Sequence, residues 1–199
     1  MKKQSEVLNE NYWSSRYKNN NTTWDIGMVS PPLKEYFDQL TDKSISILIP
    51  GCGNAYEAEY LLQIGFKNIT LIDISPQPVD KLKKKVAAFL NKEINIICGD
   101  FFTLNQTFDL IIEQTFFCAI EPSLRINYVD KMNQLLRVNG KLVGLFFNRI
   151  FEGGPPFTGS KNEYQLLFKD KFEIKVMDEC YNSIGPRRSS ELFVMLKKI

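Results

Sequence analysis

Histidine is absent from this chain of 199 residues, so a histidine-based catalytic triad is excluded. The four cysteines, Cys52, Cys98, Cys118 and Cys180, are widely spaced with no Cys-x-x-Cys pair, and without histidine they leave no zinc-ligand pattern and no expected metal site. No run of about 18 apolar residues is present, the least that spans a bilayer. The first residues, Met1-Lys2-Lys3-Gln4-Ser5-Glu6, lead into polar and aromatic sequence, not into the apolar core of a signal peptide. A soluble, cytoplasmic protein with no membrane partner is the expectation. An excess of one charge is also missing: 25 basic residues face 23 acidic ones, for a net charge of +2. No global field therefore favours nucleic acid, and the run Lys81, Lys83, Lys84, Lys85 is assigned to a solvated helix face. No feature of the sequence specifies an oligomeric state.

What is present is a hydrophobic content of 44%, enough at this length for one α/β core, so a single domain over 1–199 is expected. A short helix is predicted within residues 5–18, and a second from Pro31 to about Leu40, its prolines placed in the first turn where a missing N–H costs nothing. Together residues 1–40 form a helical segment ahead of the sheet. Strands are predicted at Ile45–Ile49, Ile69–Ile74, Ile94–Cys98, Phe108–Ile112 and Lys141–Phe147. Helices are predicted at Ala55–Ile64, Pro76–Leu90 and Pro122–Leu136. This alternation implies a doubly wound, Rossmann-like parallel sheet. After a Gly- and Pro-rich loop at 152–156, a helix near 162–168 and strands at Phe172–Met177 and Leu192–Leu196 complete seven strands, mostly parallel with an antiparallel C-terminal end.

Ile47-Leu48-Ile49-Pro50-Gly51-Cys52-Gly53 is an apolar strand running into a glycine turn that opens a helix. Such a turn brings backbone N–H groups close to a ligand, although a plain strand-to-helix turn uses the same residues. Tyr56 stands where a dinucleotide fingerprint has its third glycine. Asp73 ends the next strand about 20 residues later, where a carboxylate accepts from ribose hydroxyls. Ser75 fits the helix cap before Pro76, which leaves Asp73 for a ligand. At the end of the third strand, Asp100 beside Phe101 and Phe102 suits an adenine, one phenyl ring covering the base and the other entering the core. All three features lie at the carboxyl ends of consecutive strands, the ligand edge of open α/β sheets. They fit an adenosine compound whose remainder lies over Gly51 and Gly53.

With these residues the sequence resembles class I methyltransferases, and within them the thiopurine methyltransferase superfamily. The markers are Thr23-Trp24-Asp25-Ile26-Gly27, Pro50-Gly51-Cys52-Gly53, Leu71-Ile72-Asp73-Ile74-Ser75, Asp100-Phe101-Phe102, Phe116-Phe117-Cys118-Ala119-Ile120-Glu121-Pro122, Gly153-Gly154-Pro155-Pro156-Phe157 and Pro186-Arg187-Arg188. The fifth and sixth of them resemble the plant halide and thiol methyltransferases. The resemblance implies S-adenosylmethionine as cofactor, held by Trp24, Gly51, Cys52, Gly53, Asp73, Ile74, Asp100, Phe101 and Phe102, with Gln114 and Thr115 beside its methionine part. The N-terminal segment would form a lid. A thiopurine enzyme carries an Asp-Arg pair where this chain has Glu113-Gln114, so that arginine contact is missing.

The expected reaction is methyl transfer to a small soft nucleophile, a thiol, thiocyanate, bisulfide or halide. Such an acceptor needs alignment and desolvation more than a general base. The expected pocket is walled by Trp13, Phe116, Phe117 and Phe157, with Arg187 or Arg188 holding the anion. No catalytic acid or base is assigned, because only cysteine has a reference pKa between about 6 and 9 here. Two rival readings are an NAD(P)-dependent oxidoreductase using the same glycine turn, and a non-catalytic S-adenosylmethionine-binding protein.

Overall fold

The structure, a computed structural model, describes residues 7–199. Helix α1 (Glu10–Lys18) starts where the Asn9 side chain accepts from the Tyr12 N–H, with Glu10 in the first turn and Arg16 and Lys18 in the last. These charges complement the helix dipole. The helix predicted from residue 5 thus begins later; residues 5 and 6 lie outside the described residues. Helix α2 (Pro31–Asp38) carries its prolines at the first two positions and buries Leu33, Tyr36 and Phe37.

Strands β1 (Ile47–Pro50), β2 (Ile69–Asp73), β3 (Ile94–Cys98), β4 (Phe108–Gln114) and β5 (Leu136–Phe147) are parallel to one another. Strand β7 (Glu191–Lys198) runs antiparallel between β5 and β6 (Phe172–Glu179), giving the order β3-β2-β1-β4-β5-β7-β6. This is the expected seven-stranded sheet. Helices α3 (Tyr56–Gln63), α4 (Pro76–Lys85), α5 (Arg125–Leu135) and α6 (Lys161–Phe168) complete the fold. None of the described helices is long and apolar enough to cross a membrane.

All four residues of β1 and all five of β2 are buried, as strands covered on both faces must be. Ile47 and Ile49 face a core with Leu33, Phe37, Leu61 and Leu71. Leu48 faces the opposite core with Ile111, Tyr128, Phe146 and Phe168. Helix α4 ends at Lys85, short of the predicted Leu90: Val86 leaves helical geometry with φ of -105° and ψ of 25°, and its carbonyl accepts from the Phe89 N–H in a tighter turn.

Phe117, expected on the acceptor wall, belongs to the second core. Its ring is 1% exposed and stacks on Phe146 at 4.9 Å and 17°, with Tyr128 at 4.7 Å and Tyr164 at 5.5 Å. Adjacent side chains in the turn after β4 diverge, so only one of the two phenylalanines at 116–117 can face the cavity. Phe117→Ala should cost about 3–5 kcal/mol in a urea unfolding experiment, the range for a buried aromatic. A loss under about 1 kcal/mol would contradict the core placement.

Candidate active site

The carboxyl ends of β1 to β4 and the N-terminal segment enclose a cavity of about 430 Å³. The glycine turn forms part of its floor. Gly51 and Gly53 have φ of +55° and +51°, which L side chains rarely adopt. A Cβ at Gly51 would strike the Phe116 ring, and one at Gly53 would come 2.9 Å from the Tyr17 hydroxyl. Both positions therefore need a bare backbone, which lets the Phe116 ring and the Tyr17 hydroxyl approach the turn, and Gly51 lines the cavity.

Asp73 lines the cavity and holds the turn at the same time. One carboxylate oxygen accepts from the Gly53 N–H at 2.9 Å and the other from the Ser75 N–H at 2.9 Å. Burial pushes its pKa up, opposed by those two N–H groups. Each oxygen retains a lone pair for a ligand hydroxyl. Ser75 is not the side-chain cap expected from the sequence. It sits at the cap position of α4 but makes no cap bond, its hydroxyl meeting Gln77 at 2.8 Å and Ser14 of α1 at 3.3 Å.

Ile74 and Asp100 also line the cavity. Asp100 caps the short 3-10 helix Phe101–Thr103 through one oxygen, at 2.9 Å from the Phe102 N–H. Phe101 is 5% exposed and packs on Phe116 and Tyr128, whereas Phe102 is half-buried; both rings reach the cavity.

The N-terminal segment supplies an aromatic wall. Trp24 meets Trp13 at 5.6 Å and Tyr17 at 5.7 Å, both edge to face, geometries that add to burial. Tyr17 was not singled out from the sequence. Its position four residues after Trp13 on α1, hence on the same helix face, is the signal that would have found it. Burial and the Asp73 charge push its hydroxyl pKa up. Asp25 fastens the segment to the glycine turn, accepting from the Asn54 side chain and from Tyr56.

A smaller cavity adjoins the first through Trp24, Gly51 and Thr115; Cys52, Gly53 and Gln114 line it. Gln114 and Thr115 therefore sit at the β1–β4 side, away from Asp100. The ends of β4 and β5, the loops that follow them and the turn before β7 add Phe116, Cys118, Glu121, Phe147, Pro155, Pro156 and Arg187 to the lining of the main cavity. Phe157 is not on this wall: its N–H donates to the Cys118 carbonyl at 2.7 Å and its ring packs over Gly154. Pro155 and Pro156 take its place, in a loop that Arg125 braces through the Thr158 carbonyl at 2.8 Å and an ion pair with Glu163. Arg188 is exposed and away from the cavity, while Arg187 is 8% exposed and lines it. Arg187 does not present a free charge, since it pairs with Glu191 at 3.2 Å and donates to the Trp24 carbonyl at 2.7 Å.

Burial pushes the Cys118 thiol far up, so it is no thiolate near neutrality. Glu113 is a group that reference values do not reveal. Burial raises it from 4.5 to about 7, opposed by N–H bonds from Phe117 at 2.9 Å and Phe116 at 2.7 Å and reinforced by Glu191. It does not line the cavity; it holds the turn that does. A carboxyl raised in the folded state contributes stability that is whole below its unfolded pKa and is lost as pH rises through about 7. Glu113→Gln should therefore remove on the order of 3 kcal/mol of the stability decline between about pH 4.5 and 8. Denaturant midpoints across that range check this; an unchanged slope would show Glu113 ionised throughout. Glu57 and Asp73, both raised by burial, remain in the variant as the residual slope.

The donor set fits an adenosyl ligand: carboxylates at the ends of β2 and β3, and bare backbone at the end of β1. Comparison with known proteins supports the same reading. The fold matches Burkholderia thailandensis 1,6-didemethyltoxoflavin-N1-methyltransferase, solved with S-adenosylhomocysteine, at a TM-score of 0.75 and 15% identity over 95% of this chain and 86% of that one. In sequence, the chain is 32% identical to a probable thiol methyltransferase 2 of Arabidopsis thaliana, over 94% of this chain and 84% of the relative. It is 28% identical to thiocyanate methyltransferase 1 of Brassica oleracea, over 98% and 88%. Residues 8–196 match the thiopurine S-methyltransferase family. Fold, cavity and sequence agree, and the chain belongs to that family of S-adenosylmethionine-dependent methyltransferases.

Proposed function

We propose that this methyltransferase acts on a small, soft, anionic nucleophile: a thiol, thiocyanate, bisulfide or halide. The observation that carries the reading is the make-up of the cavity lining supplied by the ends of β4 and β5 and the loops that follow them. Phe116, Cys118, Phe147, Pro155 and Pro156 make this part mostly apolar, its charged members being Glu121 and an Arg187 already paired with Glu191. Such a surface strips water from a weakly hydrated anion and offers little to a strongly hydrated one. The names of the Arabidopsis and Brassica relatives point the same way.

Bound S-adenosylmethionine supplies an electrophilic methyl on a sulfonium. The chain's part is to hold, orient and exclude water. In this reading Asp73 takes the ribose hydroxyls and Asp100 the adenine amine, with Phe102 against the base. Gly51 and Gly53 pass the methionine part toward Gln114 and Thr115, and Trp13, Tyr17 and Trp24 close over it. A halide or thiocyanate has no proton to lose, so no base is required. The high pKa of the Cys118 thiol and the position of Glu113 outside the cavity both accord with this.

Asp100→Ala should weaken S-adenosylhomocysteine binding by about 1–3 kcal/mol, the usual cost of leaving a polar partner unpaired. Asp73→Ala should lose at least as much and also lower the melting temperature, because the Gly53 and Ser75 N–H groups lose their acceptor. Titration calorimetry with unaltered affinity in both variants would make the carboxylates purely structural.

The acceptor reading is tested by incubating the enzyme and S-adenosylmethionine with iodide, thiocyanate, bisulfide, an aryl thiol and a catechol. The first four should yield methylated product and the catechol none; a catechol-only pattern would overturn it. The iodide rate should stay nearly flat between about pH 6 and 9, while the thiol rate climbs with its own thiolate fraction. A shared inflection near pH 7 that disappears in Glu113→Gln would put an enzyme group into the reaction.

A further inference from the structure

Arg187 ends a short 3-10 helix, Gly185–Arg187, between β6 and β7, and its guanidinium joins parts of the chain far apart in sequence. One arm pairs with Glu191 on β7, which is 3% exposed. The other donates to the main-chain carbonyl of Trp24, 163 residues away, at 2.7 Å. The guanidinium carbon lies 5.5 Å from the centre of the Phe147 ring, and Phe147 is the residue of β5 that faces Glu191 in the strand ladder. The fork thus stands on a β5–β7 base and reaches up to the N-terminal segment. Both partners are supplied by the protein, so the charge is spoken for before any anion arrives.

We propose that Arg187 is a positioning residue, a clamp that fixes Trp24 and with it the Trp13–Trp24–Tyr17 wall over the bound cosubstrate. The clamp rests on the reading that this wall covers the cosubstrate, and it is independent of which acceptor is methylated. A fork geometry is required. A lysine at 187 keeps the charge beside Glu191 but cannot hold a carboxylate and a carbonyl in one plane.

Trp13 and Trp24 are the only two tryptophans in the chain, so intrinsic fluorescence reports on the wall itself. Acrylamide quenching of the ligand-free enzyme should increase at least twofold in Arg187→Lys and Arg187→Met. The same two variants should raise the KM for S-adenosylmethionine at least fivefold, with a smaller change in kcat. Glu191→Gln, which leaves the Trp24 bond in place, should quench like the wild type even where its melting temperature falls. Wild-type quenching in both arginine variants would overturn the clamp. Increased quenching with an unchanged KM would overturn its positioning role, leaving a structural strut. Equal quenching increases in Glu191→Gln and the arginine variants would also overturn it, since the wall would then follow stability alone. Without acceptor turnover in the wild-type panel, S-adenosylhomocysteine affinity by calorimetry replaces KM: at least fivefold weaker binding in the arginine variants would count against the acceptor reading and keep the clamp, and unchanged binding would overturn the clamp.

Discussion

Where parallel strands end, backbone N–H groups leave the ladder while still shielded from water, and each needs an acceptor. Buried carboxylates meet that need at the cavity edge. Asp73 takes the N–H groups of Gly53 and Ser75, binding the turn after β1 to the turn after β2. Glu113 takes those of Phe116 and Phe117, shaping the turn after β4. Glu57 takes the Ser30 N–H at the entrance to α2. The turns at the cavity edge owe their shape to the Asp73 and Glu113 bonds, and the raised pKa of all three carboxyls is the electrostatic cost of burying them.

The roof is fastened separately. Ser14 meets Ser75, Asp25 meets Asn54, and Arg187 reaches the Trp24 carbonyl. These ties are polar contacts, one or two to a residue, whereas the sheet beneath is packed on both faces. The wall residues touch one another edge to face, a geometry that aromatic rings favour.

In the proposed reaction the absence of histidine is no obstacle. When the methyl arrives already activated and the acceptor is already an anion, the enzyme contributes geometry and a dry surface. The residues that titrate unusually, Glu113 and Cys118, do so because they are buried, and Glu113 acts on the turn and not in the cavity.

Much was legible in the chain itself. Strand and helix alternation, the glycine turn, and the acids at positions 73 and 100 depend on local spacing, which the sequence displays directly; β3 was placed residue for residue at Ile94–Cys98. The family motifs were equally legible, because they too are local strings. Tertiary structure alone decided which members of each string face the cavity. Phe116 faces it and Phe117 does not; Pro155 and Pro156 do and Phe157 does not; Arg187 does and Arg188 does not. In each case neighbours in sequence point to opposite sides of an irregular turn, and a turn has no period from which a side could be read. The shifted Glu113 was hidden for a related reason: its burial, and the charge of Glu191 that adds to the shift from a position remote in sequence, exist only in the assembled fold.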